Sequence, residues 1–179
     1  LLAGASGVAH RAPRWAPDAT WVAFYTNVAS GNSFRLMRAD GTGLTTLVSR
    51  CSGSLTAPAW RPIPTSNGYW LVYLDERKSD GTCLTSWPPG YTGPGRNLWA
   101  VNVSPGSPVL TGDPVCLTCG LVELDGDYWD SPAWSRDGSH LSVLQIKRRA
   151  TGVSYAFHVY DVTFDTGTGS PVLGDDWLF

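Results

Sequence analysis

The sequence has little charge, little helix-forming pattern and no long apolar run. Only 16% of its 179 residues are charged and the formal net charge is -2, so it lacks the basic footprint that nucleic-acid phosphates require. No run of about 18 apolar residues occurs, which excludes a membrane-spanning helix. The chain has one methionine and no stretch with the 3.6-residue period of an amphipathic helix. These absences predict a chain with little helix.

Turn-forming and aromatic residues are abundant instead. The chain contains 20 glycines and 13 prolines, and 12% of its residues are aromatic. Hydrophobic residues make up 42%, which is enough for a packed core and too many for a disordered chain. Short β-branched and aromatic runs separated by turn residues predict an all-β fold.

A repeat organises the chain. Three segments, beginning at Ala12, Ala57 and Ser131, share a Pro-x-Trp motif that is followed by a turn and an apolar strand. The motif residues are Pro13 and Trp15, Pro58 and Trp60, and Pro132 and Trp134. A second half follows each motif and consists of a strand, a Gly-rich turn and a short strand. Each unit therefore predicts four strands, which we name a to d, joined in part by Asp-Gly turns at residues 40–41 and 137–138.

The strand positions follow from this pattern. Strand b is predicted at residues 21–26, 69–74 and 141–146, and strand c at residues 34–38, 98–103 and 156–162. Strand d is predicted at residues 44–48, 109–111 and 171–173. Strands b and c are apolar at almost every position, which indicates burial on both faces of the sheet. A four-stranded sheet that is repeated and packed on both faces is typical of a propeller blade.

Two motifs of the first unit resemble those of the TolB-like, or PD40, propeller repeat. They are Trp15-Ala16-Pro17-Asp18 and the segment Met-Arg-Ala-Asp-Gly-Thr-Gly at residues 37–43. The third unit has Trp134-Ser135-Arg136-Asp137-Gly138, whereas the second unit departs with Trp60-Arg61-Pro62. The resemblance implies an all-β propeller fold of three four-stranded antiparallel blades. The blades span about residues 12–49, 57–111 and 131–174, with inserted loops at 75–96 and 112–130.

Three blades are too few to close a propeller ring, which has four to eight. Two alternatives remain open: the chain is a segment of a longer propeller, or two copies form a six-bladed ring. In both, the outer faces of the first and third blades need a protein partner or self-association to cover them.

The four cysteines fall on one predicted face of the propeller, the face that carries the d–a and b–c loops. They are Cys51, Cys83, Cys116 and Cys119. Their even number favours two disulfides and a periplasmic or extracellular location, with the pairs Cys51–Cys83 and Cys116–Cys119 preferred among three possible pairings. The alternative is a structural zinc site that uses all four thiolates.

The same face carries a group of carboxylates. Asp125, Asp127 and Asp130 are spaced closely enough to offer oxygen ligands to Ca²⁺, although not at the spacing of an EF-hand. The alternative is a solvated acidic turn that leads into strand a. Apart from this Ca²⁺ alternative and the zinc alternative, no cofactor is predicted.

An aromatic group also lies on this face. Trp87 and Tyr91 belong to the long Pro-rich and Gly-rich insertion, and Tyr128 and Trp129 precede the third strand a. Rigid rings on a loop predict a surface for contact with a partner. The alternative is a loop that only caps the second blade. Trp15, Trp60 and Trp134 recur once per blade, and we interpret them as packing residues.

No catalytic arrangement stands out. The three histidines are scattered, and the sequence has no G-x-S-x-G, P-loop or G-x-G-x-x-G motif. We therefore expect a non-catalytic protein-interaction or scaffolding module outside the cytoplasm. One alternative is a structural subunit that polymerises through blade contacts. Another is the propeller part of a larger hydrolase, since TolB-like propellers resemble the gating domains of prolyl-oligopeptidase-type enzymes.

Overall fold

The computed structural model describes residues 7–28, 31–50, 57–76, 96–104, 112–119, 127–149 and 151–179. Within them the chain forms twelve β-strands. Blade 1 consists of β1 (Ala9–Trp15), β2 (Trp21–Val28), β3 (Gly31–Arg38) and β4 (Thr45–Arg50). Blade 2 consists of β5 (Ala59–Trp60), β6 (Tyr69–Asp75), β7 (Asn97–Val103) and β8 (Val115–Cys116). Blade 3 consists of β9 (Asp127–Trp134), β10 (His140–Arg149), β11 (Gly152–Phe164) and β12 (Pro171–Leu178).

Each blade is a four-stranded antiparallel meander whose strands pair in chain order. The first strands of the three sheets lie next to one another, because β5 contacts both β1 and β9. The sheets are therefore arranged around a common inner edge, as the blades of a propeller are. The predicted fold class, an all-β partial propeller of three four-stranded blades, is confirmed. No helix long and apolar enough to cross a membrane occurs in the described part of the chain.

Two separate cores join the blades. Tyr25 and Phe34 of blade 1 are buried in the first core with Leu71 and Tyr73 of blade 2, and the rings of Phe34 and Tyr73 meet edge to face at 5.2 Å. Burial of a large apolar side chain contributes about 1.5–3 kcal/mol, so a few such residues account for much of the cohesion between two blades.

The second core lies on the other face of blade 2. Trp70 and Val72 are buried there against Leu141 and Tyr160 of blade 3. Alternate residues of β6 thus point into different cores, because successive side chains of a strand point to opposite faces. This confirms the prediction that strand b of blade 2 is buried on both sides.

The Asp-Gly turns form as predicted. The Asp40 carboxylate accepts hydrogen bonds from the backbone N–H of Thr42 at 2.8 Å and from its hydroxyl at 2.7 Å. Gly41 adopts a φ of 87°, a conformation that L side chains rarely reach. In blade 3, Asp137 accepts from Ser139 in the same way and Gly138 has a φ of 67°.

The boundaries of blade 2 differ from the prediction. Residues 105–111, which hold the predicted strand d, lie outside the described residues, and the strand paired with β7 is β8. Cys116 pairs with Trp99 in this ladder, so the predicted blade boundary at residue 111 falls too early. The predicted loop at 112–130 was wrong in part, since it contains β8 and the beginning of β9. Residues 106–110 and 169–173 share the sequence Gly-Ser-Pro-Val-Leu, which favoured the earlier position for strand d. Backbone pairing with β7 decides the actual position.

Several strands are also longer than predicted, β1 and β12 among them. β1 begins at Ala9 and β12 continues to Leu178. Both ladders contain a register shift, which lets a strand continue past the irregular position. The predicted insertion at residues 75–96 overlaps the described chain only at its ends, where Asp75 closes β6 and Arg96 precedes β7.

Candidate binding site at the inner edge of the blades

The predicted aromatic contact residues are not accessible where the structure describes them. Trp87 and Tyr91 lie outside the described residues. Tyr128 and Trp129 are only 7% and 1% exposed, so the prediction that they form a contact surface was wrong. Their positions near the start of β9 explain the burial, because β9 pairs with β10 there and segments of blades 2 and 3 enclose the two rings.

The partners of these two rings show that they are packing residues. The guanidinium of Arg96 lies 5.1 Å from the centre of the Tyr128 ring, within range of a cation–π contact. The Trp129 ring meets His158 edge to face at 5.1 Å and Tyr160 at 6.0 Å. The backbone N–H of Trp129 also donates to the Arg96 carbonyl oxygen at 3.2 Å, which joins blade 3 to blade 2.

The predicted calcium ligands are not brought together in the described residues. Asp125 lies outside them, and of Asp127 only the backbone of β9 is described. Asp130 accepts a hydrogen bond from the backbone N–H of Ser131 at 2.6 Å, within β9 where its ladder with β10 shifts register. Among the described residues, no group of three or more His, Cys, Asp or Glu side chains is placed to hold a metal ion.

Cys116 and Cys119 form a disulfide, with their Cα atoms 5.7 Å apart. Cys51 and Cys83, the other predicted pair, lie outside the described residues. The disulfide occupies two of the four sulfurs that the zinc alternative requires. Thr118, between the two half-cystines, is buried; its hydroxyl accepts from the Leu98 N–H at 2.9 Å and lies 3.1 Å from Asn97 Oδ1. The disulfide turn therefore secures the start of β7.

A pocket that the sequence analysis did not predict lies where the three inner strands meet. Its volume is about 660 Å³. It is lined by the tryptophan of every Pro-x-Trp motif and by residues beside it, including Arg14, Trp15, Pro58, Trp60, Pro132 and Trp134. Pro17 and Pro62 add two more proline rings. We call this the axial pocket.

The backbone of the motif explains why these side chains reach the pocket. Ala12 and Ser131, each directly before the proline of its motif, both adopt a φ of 50°. A non-glycine residue with positive φ is strained by about 1–3 kcal/mol, and a following proline restricts the residue further. The β1–β2 and β9–β10 ladders shift register at these places. The bulge redirects the strand, so that the motif faces the inner edge in blades 1 and 3 alike.

The three tryptophans differ in their exposure. Trp60 is half-buried against the first core and Trp134 is half-buried against the second, so the packing interpretation is confirmed for both. It was wrong for Trp15, which is 58% exposed. The indole N–H of Trp60 donates to the backbone carbonyl of Arg14 at 3.3 Å, which fixes the pocket wall between blades 1 and 2.

The chemistry of the pocket is apolar and aromatic. Arg14 is the one charged side chain among its described lining residues, and its guanidinium donates to the Pro13 carbonyl oxygen at 2.9 Å. Ser131 contributes the one hydroxyl, and the described lining includes no carboxylate, histidine or thiol. Such a lining suits the binding of an apolar ligand and offers no pair of groups for acid–base or nucleophilic chemistry. A Pro-x-Trp motif repeated on an inner edge strand is the sequence signal that could have located it.

Comparison with protein-family profiles gives no match, and comparison with curated proteins gives none either. Solved structures that are similar to the chain include the following two. One is a prolyl endopeptidase, with 14% identity and a TM-score of 0.43 over 96% of this chain and 29% of that one. The other is TolB from Acinetobacter baumannii, with 16% identity and a TM-score of 0.32 over 92% of this chain and 43% of that one. The chain thus spans less than half the length of either protein.

Proposed function

We propose that this chain is a non-catalytic protein-interaction module, built from TolB-like propeller blades, that binds its partner at the axial pocket. The observation that carries the proposal is the convergence of three Pro-x-Trp motifs on one open aromatic pocket. Tryptophan is among the residues most enriched in the energetic centres of protein interfaces, because it offers a large rigid surface at low entropic cost.

Trp15 is the residue most suited to direct contact. Its ring is 58% exposed, whereas Trp60 and Trp134 are held by the cores behind them. An exposed indole beside two fixed ones gives a partner a large apolar surface that loses little conformational freedom on binding.

We place the module in an oxidising compartment, the periplasm or the cell exterior. The Cys116–Cys119 disulfide supports this, because structural disulfides persist outside the reducing cytosol. Mass-spectrometric mapping of thiols in protein from its native source, alkylated before lysis, tests the location. Recovery of the bonded peptide is the expected result, and quantitative alkylation of both cysteines would contradict it.

Selection of random peptides displayed on phage, with the immobilised chain as the target, tests the proposed function. We expect selected peptides to bind the wild type and to lose at least about tenfold in affinity with Trp15→Ala. Trp177→Ala is the matched control, since Trp177 is 52% exposed but lies on blade 3 away from the pocket. Peptides that bind Trp15→Ala as tightly as the wild type would show that the pocket is not the binding site.

A second candidate is a structural subunit that assembles through blade faces. On the outer face of blade 3, Tyr155 is 67% exposed, Phe157 43% and Trp177 52%. One face of β11 carries Tyr155, Phe157 and Val159, because these residues occupy every second position of the strand. Trp177 of β12 pairs with Val159, so its side chain lies on the same face of the sheet. Sedimentation velocity should then show assemblies that Phe157→Glu dissociates; a monomeric wild type would exclude this candidate.

A further inference from the structure

We propose that the partner segment that fills the axial pocket is proline-rich, is extended in the polyproline II conformation and carries an acidic residue beside its prolines. This rests on the proposed function, since it names the ligand of the same pocket.

The inner edges of the blades disfavour the other common way of binding an extended segment. β1, β5 and β9 are the edge strands that face the pocket, and a peptide could in principle pair with them as an added strand. Pro58 and Pro132 each remove a backbone donor from these edges, as Pro13 does in β1. β5 is also only two residues long. Side-chain surfaces are therefore a better support for a ligand here than a ladder of backbone hydrogen bonds.

A polyproline II segment meets this requirement. It has no internal hydrogen bonds and rises about 3.1 Å per residue, with three residues per turn. Its rigid proline rings dock in grooves lined by aromatic side chains, and it loses little entropy because the conformation is already formed before binding. Trp15, Trp60 and Trp134 provide such a groove, one indole from each blade.

The charge of the lining sets the charge of the ligand. Arg14 is exposed and is the one charged side chain among the described residues that line the pocket. Arg14 repels a cationic ligand, and the lining has no carboxylate to pair with it, so only the indole faces would attract such a ligand. A carboxylate next to the prolines would instead pair with the Arg14 guanidinium.

The test is isothermal titration of the full chain with synthetic peptides. The main probe is an acetylated peptide of one glutamate followed by about eight prolines, which spans about 25 Å when extended. A peptide of equal length that alternates glycine and serine after the glutamate is the conformational control. A third peptide replaces the glutamate by lysine. We expect the glutamate–proline peptide to bind at least about tenfold more tightly than the glycine–serine peptide.

Variants assign this binding to the pocket. Trp15→Ala should lower the affinity for the glutamate–proline peptide at least about tenfold, and Trp177→Ala should leave this affinity unchanged. Arg14→Gln should abolish the preference for glutamate over lysine while proline binding persists. Since Trp15 is largely exposed, its replacement should leave the far-ultraviolet circular dichroism unchanged; Trp15→Gln serves as a second variant if Trp15→Ala does not fold.

The outcomes separate this inference from the proposed function. If phage-selected peptides depend on Trp15 but carry no excess of proline, and the proline peptide does not bind, the ligand class is wrong and the proposed function stands. If neither kind of peptide depends on Trp15, both fail. Equal binding of the glycine–serine peptide would also overturn the inference, because the polyproline II conformation would then contribute nothing.

Discussion

The indole nitrogen of Trp60 donates to the backbone carbonyl oxygen of Arg14, 3.3 Å away and 46 residues earlier in the chain. This hydrogen bond joins the inner strand of blade 2 to that of blade 1 at the wall of the axial pocket. The Trp60 side chain therefore contributes both to the packing between the two blades and to the shape of the candidate site.

Replacement of this donor gives the first prediction. Trp60→Phe keeps an aromatic ring but removes the indole N–H, so we expect the free energy of unfolding to fall by about 0.5–1.5 kcal/mol. Urea denaturation measures it. Trp177→Phe is the control, since it changes an exposed indole on blade 3 and should alter stability by less than about 0.5 kcal/mol. A Trp60→Phe protein as stable as this control would show that the bond contributes nothing.

A second prediction concerns the joint between blades 2 and 3. The Arg61 Nε donates to the Gly138 carbonyl oxygen at 2.9 Å, and its guanidinium lies 4.7 Å from the centre of the Phe164 ring. Lysine lacks the planar group that makes both contacts, so Arg61→Lys should lower the free energy of unfolding by about 1–2 kcal/mol. Thermal unfolding followed by circular dichroism measures it. Arg136→Lys, at an exposed position in the turn that contains Gly138, should have no measurable effect.

The a–b turns of blades 1 and 3 allow a reciprocal exchange. Ala19 has a φ of 58° and Gly138, at the corresponding position, has a φ of 67°. Ala19→Gly should raise the free energy of unfolding by about 0.5–1 kcal/mol, because it relieves an unfavourable alanine conformation. Gly138→Ala should lower it by about 1–2 kcal/mol, since the new Cβ would be strained and would lie 3.0 Å from the Arg61 Nε. Chemical denaturation tests both; a change of the same sign in the two variants would refute this explanation.

Acid should weaken the turns built on aspartate. Hydrogen bonds from Ser135 and Ser139 hold the pKa of Asp137 well below its usual value of 3.8. Because the pKa is lowered in the folded state, this carboxylate stabilises the fold above its unfolded pKa, and the contribution is lost as the pH falls below about 4. Hydrogen bonds from Thr42 and Thr168 lower the pKa values of Asp40 and Asp165 in the same direction.

Urea midpoints measured from about pH 6 to about pH 2 test this dependence. We expect the wild type to lose stability over the acid half of this range and Asp137→Asn to lose less. Asp175→Asn, in an exposed part of β12, is the control and should follow the wild type. An Asp137→Asn protein with the full acid dependence of the wild type would show that this turn does not contribute to it.

The repeat pattern was sufficient to predict the blades because it is local. Apolar runs such as that of β6 require burial on both faces wherever they occur, and an Asp-Gly pair needs only its own backbone to form a tight turn. Strands b and c lie close to their predicted positions for this reason. Strand d of blade 2 does not, since a two-residue strand has little local signal and is set by the backbone of β7.

The candidate site was less predictable, because exposure is not a local property. Tyr128 and Trp129 stand beside aspartates and glycine in the sequence and resemble a surface turn, yet Arg96 and His158 from distant segments enclose them. Trp15 occupies the same repeat position as Trp60 and Trp134, so the sequence gives no reason to expect it to be the most exposed of the three.

The sequence by itself determined that the Pro-x-Trp motif occurs once in each four-stranded unit and that these units pack through apolar strands. Only the tertiary structure decided that the three motifs meet, because their convergence depends on β5 lying between β1 and β9 and on the bulges at Ala12 and Ser131. The physical reason is that strand propensity and turn chemistry act over a few residues. The axial pocket, in contrast, is shaped by the angles at which whole sheets pack, to which residues from all three blades contribute.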